Sequence, residues 1–418
     1  MLQEMGMRAK AASRELAKAP GEQKDRALKR LAECLWEDRQ SILEANRLDI
    51  QAGEKAGLTP ALLDRLTLNE TRLRGIITDL ETVIYLPDPV GQVFQEKTLP
   101  NGLQVHKQKV PIGVLAVIYE SRPNVTIDVA GLALKSGNCA ILRGGSETIH
   151  SNRALVQPIH QALLELDLPS YSIQFIDDTD RALVAELLKM YEYVDMVIPR
   201  GGAGLHRYCR ENSLIPVITG GIGICHLFVD ASAVLEQAVE VIRNAKIQRP
   251  TVCNALDTVL VHREAAANLL PMLVETLSKD GVTFRADPSA VPYFGEETDE
   301  RIQPAGPEDF DTEWLSLILG LKVVDGLSEA VDHISAHNTG HSDGILTSDD
   351  ENAKEFVRSV DSAVVYVNAS TRFTDGGQLG LGAEVAVSTQ RLHARGPMAL
   401  EELTTYKWVV QGDYHIRG

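Results

Sequence analysis

The sequence is poor in cysteine and has no long apolar run. Its 418 residues include five cysteines, an odd number with no CxxC spacing, which argues against a disulfide framework or a zinc ribbon and indicates a reducing compartment. No stretch approaches the roughly 18 apolar residues of a membrane span, and the first residues lack the apolar core of a signal peptide. These absences predict a cytoplasmic protein with no membrane partner.

Positive charge is also scarce. The chain has 41 lysines and arginines against 58 aspartates and glutamates, which gives a formal net charge of −17. Such a protein repels a phosphate backbone, so we do not expect a nucleic-acid partner. An anionic substrate must be bound by local cations rather than attracted by the overall field of the protein.

The hydrophobic pattern predicts an α/β protein. Residues 1–86 show the three- and four-residue spacing of helices, and 92–110 alternate around Asn101-Gly102 as a hairpin does. Short apolar strands separated by helical stretches follow, which indicates parallel βαβ units that bind ligands at the carboxyl ends of the strands. The predicted strands of this series are 113–121, 139–144, 172–178, 194–200 and 215–221, and a second α/β series begins near residue 226.

The nucleotide signatures GxGxxG and GxxxxGK[ST] are absent, but two glycine turns at strand ends are candidates. Gly201, Gly202 and Gly204 precede a helix, where the backbone can approach a phosphate at the helix N-terminus. Arg143 and Ser146 lie in the other turn, and a cation beside a hydroxyl suits a phosphate or a ribose. The alternative for both turns is a plain connection between a strand and a helix.

Cys253 is the candidate nucleophile. It shares a loop with Arg249, and Lys246 lies just before that loop. Nearby cations favour the thiolate, which is the form that attacks a carbonyl carbon. The alternative is a small buried side chain, and this is our interpretation of the other four cysteines, Cys34, Cys139, Cys209 and Cys225.

Three histidines stand four residues apart, which on one helix face would suggest a metal site. Residues 338–340 look like a helix end, however, so His341 should leave the face that His333 and His337 share. No HExxH pattern accompanies them. We therefore predict no metal site and assign His341 a binding role.

The order of a strand, a glycine turn, a Gly-Gly dipeptide and a loop cysteine resembles the aldehyde dehydrogenase superfamily. Segments 119–147, 247–262 and 330–345 are similar to blocks of the gamma-glutamyl phosphate reductases, and the resemblance covers nearly the whole chain. Asn338 departs from the glycine or serine that is more usual in the last block. The resemblance implies NADPH-dependent reduction of L-glutamyl 5-phosphate to L-glutamate 5-semialdehyde, through a thioester on Cys253, as the second step of proline biosynthesis from glutamate.

The resemblance also implies roles for cofactor-binding residues. Arg143 matches the superfamily lysine that contacts the adenosine ribose or its 2′-phosphate. Ser146 stands where NAD-preferring relatives often carry a glutamate, and this favours NADPH. Glu313 matches the glutamate that holds the nicotinamide ribose. The glycines at 201, 202 and 204 would lie near the dinucleotide.

Two departures concern the reacting groups. Hydrolytic relatives carry a water-activating glutamate just before the Gly-Gly, whereas this chain has Thr219 before Gly220-Gly221. An enzyme that must not hydrolyse its thioester has no use for such a base. The superfamily asparagine of the oxyanion hole is replaced, and the candidate donors are the side chains of Ser121 and Asn124 and the backbone N–H of Cys253.

The remaining substrate contacts follow from charge. Arg122 suits a substrate carboxylate because its planar fork pairs bidentately, and Arg249 suits the departing phosphate. Two alternatives stay open: an oxidative, NAD-linked aldehyde dehydrogenase of the same fold, and a non-catalytic structural protein.

The expected fold has three parts. A Rossmann-type cofactor domain covers 1–93 and 111–222, and an α/β catalytic domain covers 223–400. The 94–110 hairpin and residues 401–418 would form a small oligomerisation element, since sheet extension between subunits suits such a hairpin. We therefore expect a homo-oligomer. Because the acyl phosphate is labile, glutamate 5-kinase is a further candidate partner, through a transient contact.

Overall fold

The computed structural model describes residues 1–220, 222–295 and 300–417, without the side chain of Ala61. The chain divides into two compact units. Unit 1 consists of Met1–Thr219, Gly380–Ala386 and Pro397–Gly418, and unit 2 consists of Gly220–Leu379 and Val387–Gly396. Gly221 of the Gly-Gly dipeptide and Gly418 of the predicted C-terminal element lie outside the described residues.

The N-terminal part of unit 1 is helical, as the spacing predicted. Its helices are α1 Leu2–Leu16, α2 Gly21–Glu37, α3 Arg39–Lys55, α4 Pro60–Leu66 and α5 Glu70–Tyr85. The apolar stripe of α2 is fully buried at Leu28, Leu31 and Leu35. Side-chain oxygens cap two helices, because Thr59 accepts from Leu62 N and Asn69 accepts from Arg72 N.

The predicted hairpin is confirmed. Strands β1 Val93–Thr98 and β2 Gln104–Pro111 are antiparallel, and the C-terminal strand Thr404–Gln411, numbered β16, pairs with β2. The register joins Gln104 to Gln411 and Pro111 to Thr404. The first and last parts of the expected oligomerisation element therefore form one sheet within unit 1.

A parallel sheet follows in the described part of unit 1, with strand order β5-β4-β3-β6. Its strands are β3 Val114–Tyr119, β4 Cys139–Gly144, β5 Ile173–Phe175 and β6 Met196–Arg200. The accompanying helices are α6 Val125–Lys135, α7 Ile149–Glu165, α8 Ala182–Leu187 and α9 Ala203–Asn212. The predicted strand at 215–221 is wrong, because its described residues form only a single bridge, between Val217 and Val197.

Unit 2 contains a larger parallel sheet, with order β10-β9-β11-β8-β7-β12-β13 over its described residues. The strands are β7 Cys225–Val229, β8 Leu256–His262, β9 Thr283–Ala286, β10 Ile302–Pro304, β11 Ile318–Val324, β12 Ser342–Leu346 and β13 Val364–Val367. The helices are α10 Leu235–Ile247, α11 Arg263–Ser278, α12 Leu327–His337 and α13 Asp350–Ser359. Two short strands, β14 Ala386–Ser388 and β15 Gly396–Met398, lie where the chain passes from one unit to the other.

The core of unit 2 is built by its sheet together with α10 and α11. Leu227 and Val259 of the strands and Leu269 and Leu273 of α11 are fully buried in one apolar cluster. Strands β7 and β8 are buried along nearly their whole length, as expected for parallel strands covered on both faces. In the ranges that the structure describes, no helix is long and apolar enough to cross a membrane.

Candidate active site

Three predicted groups of unit 1 meet at one edge of its parallel sheet. Tyr119, at the end of β3, is paired with Gly144 of β4 and Arg200 of β6. The residues that follow each strand therefore leave the sheet side by side. They comprise Ser121, Arg122 and Asn124 after β3, Arg143 and Ser146 around the end of β4, and Gly201, Gly202 and Gly204 after β6.

Arg143 is buried and held by the main chain. Its Nη1 donates to Gly144 O at 2.7 Å, and its Nη2 donates to Thr179 O at 3.0 Å. Burial lowers the pKa of this guanidinium, and the carboxylate of Glu147 opposes that shift. Its Nε is buried without a hydrogen-bond partner among the described residues. A buried cation with an unsatisfied donor fits an anionic or hydroxyl-bearing ligand.

Glu147 is a residue that the sequence analysis missed. Its Oε1 accepts from the backbone N of Ser121 at 2.6 Å and from Ser121 Oγ at 2.9 Å. Ser121 adopts a φ of 48°, a left-handed conformation that costs a serine roughly 1 kcal/mol or more. The turn after β4 therefore does contain a carboxylate, because Glu147 directly follows Ser146. That adjacency was visible in the sequence.

The glycine turn after β6 already holds a carboxylate. Glu120 Oε2 accepts from Gly202 N at 3.0 Å, at the N-terminus of α9. A Cβ on Gly201 would lie 2.3 Å from that oxygen, whereas a Cβ on Gly202 or Gly204 would meet nothing within 4 Å. Open space thus exists for a ligand at two of the glycines, but the helix terminus has an internal anion that the sequence analysis did not assign.

Asn124 lies at the start of α6, where its Nδ2 donates to Asp128 Oδ2 at 2.8 Å. Burial raises the pKa of Asp128 to about 7, against the opposing effects of Asn124 and Arg200. Both donors of Ser121 bind Glu147, so Asn124 is the side chain of the pair whose second amide hydrogen could serve an oxyanion. Arg122, which lies between Ser121 and Asn124 in the sequence, is half-buried.

In unit 2, Cys253 is half-buried in the turn between α10 and β8. Its carbonyl oxygen accepts from Cys225 Sγ at 3.3 Å. A Cβ on Gly223 would lie 1.7 Å from the same oxygen, so only glycine fits there. Gly223 N donates in turn to Glu313 Oε1 at 3.0 Å. Gly223 therefore brings the predicted nucleophile and the predicted ribose-binding glutamate together.

Lys246 has a different partner from the one that its sequence position suggested. Its buried Nζ donates to Leu256 O at 2.8 Å and lies 3.6 Å from Asp257 Oδ1. Asp257 Oδ1 also accepts from Trp314 N at 3.2 Å, next to Glu313. Burial raises the pKa of Asp257 to about 6, although Lys246 favours its ionised form. The buried Lys246–Asp257 pair therefore supports the segment that carries Glu313.

Arg372 is the second residue that the sequence analysis missed. Its Nε donates to Gln248 Oε1 at 2.9 Å, beside Arg249. Burial lowers the pKa of Arg372, the negative charge of the Cys253 thiolate raises it, and the charge of Arg249 lowers it. Arg372 therefore responds to the charges of both Arg249 and Cys253, the predicted nucleophile. No local pattern announces Arg372, because it comes from a turn far along the chain.

The histidines behave as predicted in one respect: α12 ends at His337, so His341 leaves its face. His341 is fully buried, and its Nδ1 is 2.8 Å from Ser342 Oγ, which is 2.6 Å from Thr374 Oγ1. His341 therefore reaches the nucleophile loop through other side chains. Among the described residues, no group of three or more His, Cys, Asp or Glu side chains is arranged to hold a metal ion.

Comparison with known proteins finds similar chains and a similar structure. The aldehyde dehydrogenase family model matches residues 2–291. The gamma-glutamyl phosphate reductases of Psychromonas ingrahamii and Vibrio parahaemolyticus are 58% and 56% identical over 416 residues, and each match covers 100% of this chain and 99% of the relative. The crystal structure of gamma-glutamyl phosphate reductase from Thermotoga maritima matches with a TM-score of 0.96 at 49% identity, over 100% of both chains.

Proposed function

The chain belongs to the aldehyde dehydrogenase family, within it to the gamma-glutamyl phosphate reductases, and we propose that Cys253 is the nucleophile of its reaction. That reaction is the reduction of L-glutamyl 5-phosphate to L-glutamate 5-semialdehyde with release of phosphate, the second step of proline biosynthesis from glutamate. The observation that carries the assignment of Cys253 is its contact with Gly223, which also binds Glu313.

The covalent chemistry passes through Cys253. Its thiolate attacks the acyl carbon, the new carbon–sulfur bond forms as the bond to the phosphate oxygen breaks, and a thioester and inorganic phosphate result. The hydride that reduces the thioester carbon would come from a nicotinamide cofactor when it is bound. The thiohemiacetal oxyanion then re-forms its carbonyl, expels the Cys253 thiolate and leaves the semialdehyde.

As a member of this family the enzyme uses a nicotinamide cofactor, and its residues favour NADPH. The buried, unsatisfied Nε of Arg143 and the exposed Ser146 suit a 2′-phosphate. The carboxylate that would repel this phosphate, Glu147, is bound by Ser121. The open space at Gly202 and Gly204 would accommodate the dinucleotide, and Glu313 would hold the nicotinamide ribose.

Water is not a competing acceptor in this mechanism. Thr219 stands before Gly220 in place of a base, and a Cβ on Gly220 would lie 1.8 Å from Val387 O, so this stretch is tightly packed. Arg249 assists the departing phosphate, and Arg122 holds the substrate carboxylate. The oxyanion donor is Asn124 or the Cys253 N–H, because both donors of Ser121 bind Glu147. Buried His341 supports the site through Ser342 and Thr374.

The three-part organisation is kept in this proposal. The cofactor is assigned to 1–93 and 111–222, the nucleophile to 223–400, and assembly to the sheet of β1, β2 and β16. The protein would form a homo-oligomer by covering or extending that sheet.

The test is turnover in the reverse direction, with L-glutamate 5-semialdehyde and NADP⁺, measured with and without inorganic phosphate. Strict dependence on phosphate is expected, because phosphate must resolve the thioester. Equal turnover without phosphate would mean that water resolves it, and an oxidative aldehyde dehydrogenase would then replace the proposal.

A further inference from the structure

A turn of unit 2 is fastened to the residue that follows the nucleophile. Thr371 Oγ1 donates to Asn254 O at 2.7 Å, and Asn254 Nδ2 donates to Thr374 O at 2.9 Å. A longer bond of 3.4 Å joins the same Nδ2 to Arg372 O. These bonds use only the main chain of Arg372, so its side chain is placed by the turn rather than needed to hold it.

The side chain of Arg372 returns to the other end of the nucleophile loop. Its Nε donates to Gln248 Oε1 at 2.9 Å, which fixes the guanidinium plane between Gln248 and the turn. Asn254 follows Cys253 and Gln248 precedes it, so Arg372 spans the loop in which the thiol lies. The Nη edge of the guanidinium is the part not used by this bond.

Two like charges meet at this position. The charges of Arg249 and Cys253 both act on Arg372, and Arg249 precedes Cys253 by four residues in the same loop. Within the described ranges neither guanidinium forms an ion pair, and the nearest acidic influence on Arg372 comes from Asp375, whose Oδ1 accepts from Gly377 N and Gln378 N. Arg372 is half-buried and Arg249 is exposed, and the repulsion between two neighbouring cations is relieved when an anion binds to both.

We infer that Arg372, with Arg249, binds the phosphate group of the acyl phosphate as it leaves. This inference rests on the proposed function. The phosphate is attached to the carbon that Cys253 attacks, whereas the substrate carboxylate lies at the far end of the carbon chain. A cation held beside the Cys253 loop, as Arg372 is, is therefore nearer to the phosphate end of the substrate than to its carboxylate. A planar guanidinium donates two parallel hydrogen bonds to phosphate oxygens and stabilises the charge that develops on the leaving group.

The experiment compares Arg372→Gln, Arg372→Lys and a control, Arg358→Gln, in the reverse reaction. Arg358 is a surface residue of the same unit, 78% exposed and paired with Glu355. Arg372→Gln should raise the KM for phosphate by about 10- to 100-fold, the usual loss for a charged, bidentate contact. The KM values of Arg372→Gln for semialdehyde and NADP⁺ should stay within about twofold of the wild-type values. The phosphate KM of Arg372→Lys should lie between those of the wild type and Arg372→Gln. The control should match the wild type in all three constants.

The outcomes separate the inference from the function on which it rests. A wild type that needs no phosphate overturns the function itself. A phosphate-dependent wild type with an unchanged phosphate KM in Arg372→Gln overturns only the role of Arg372. A rise confined to the semialdehyde KM, or an equal rise in all three, would show carboxylate binding or general disorder and also overturns it.

A second measurement begins with the wild-type protein, and its first result does not depend on the folding of any variant. Inorganic phosphate should slow the alkylation of Cys253 by iodoacetamide in the wild type, because bound phosphate lies beside the thiol. Arg372→Lys should require about tenfold more phosphate for the same protection. Alkylation that is insensitive to phosphate in the wild type would contradict a phosphate site at Arg372.

Discussion

Cys253 is the residue on which the proposed chemistry depends. Replacing it with alanine should lower turnover by at least about a thousandfold, since nucleophile deletions in other enzymes cost this much or more. The matched control is Cys34→Ala, because Cys34 is buried on helix α2 and has no part in the reaction. Steady-state rates for both variants decide the matter, and near-normal turnover by Cys253→Ala would end its assignment as nucleophile.

Asp128 gives a prediction about pH. Its pKa is about 7 in the folded protein and near 3.8 in an unfolded chain, so between these values the folded state binds more protons. The free energy of unfolding should therefore fall, as far as this group contributes, while pH rises from about 4 to about 7. Asp128→Asn should remove this contribution, so its stability relative to the wild type should increase with pH.

Urea unfolding of wild type and Asp128→Asn at about pH 5 and about pH 8 measures this effect. Asp413→Asn, at an exposed position, serves as the control. Its free energy of unfolding should equal that of the wild type at both pH values. An advantage of Asp128→Asn that is the same at both pH values would show that Asp128 is not protonated on folding.

At the scale of residues, the sequence was informative where neighbours in the chain are also neighbours in space. Cys253 with Arg249, and Arg143 with Ser146, are such cases, and Glu147 could have been found in the same way. Arg372 could not, because its contact with Gln248 joins distant parts of the chain. The binding of Glu120 to Gly202 N is of the same long-range kind.

Among the elements, the turn that contains Cys253 is tightly packed against a glycine. Gly223→Ala would place its Cβ 1.7 Å from Cys253 O, so the loop must move. We expect a loss of activity of at least about tenfold together with a destabilisation of about 1–3 kcal/mol, typical of overpacking.

The matched control for Gly223→Ala is Gly75→Ala. Gly75 lies within helix α5, where an added Cβ meets nothing within 4 Å. This substitution should stabilise the protein by about 0.5–1 kcal/mol and leave turnover unchanged. Thermal unfolding and steady-state kinetics test both variants, and wild-type kinetics for Gly223→Ala would refute the proposed link between Gly223 and Cys253.

Periodicity predicted most elements well, and the strand at 215–221 shows its limit. The segment is rich in Ile and Val, but Pro216 has no N–H to donate to a ladder. Pro216 O and Ile218 N contact Val197, and the chain then turns away toward the backbone of Val387. Composition alone does not reveal that only one bridge forms. Strand β4, in contrast, has the bounds that were predicted for it.

For the whole molecule, the assembly prediction concerns one face of β16. Tyr406, Trp408 and Val410 alternate along this strand and are 47%, 52% and 57% exposed, so they share a face. Lys107 of β2 lies 4.9 Å from the centre of the Trp408 ring. A row of exposed apolar side chains on an edge strand is expected to be covered by a second copy.

Trp408→Glu should therefore lower the mass in solution to that of one chain, as measured by sedimentation equilibrium. Tyr191→Glu, which changes an isolated exposed aromatic, should leave the mass unchanged. An assembly that survives Trp408→Glu intact would place the interface elsewhere.

The pairing of β2 with β16 also has a consequence for the order of events during synthesis. On the ribosome, β2 emerges before the chain of unit 2, and β16 emerges after it. Domains fold as units while the chain grows, so unit 2 can be complete while β2 still lacks its second neighbour. Until β16 emerges, the nascent hairpin has an unpaired edge that can pair with another strand.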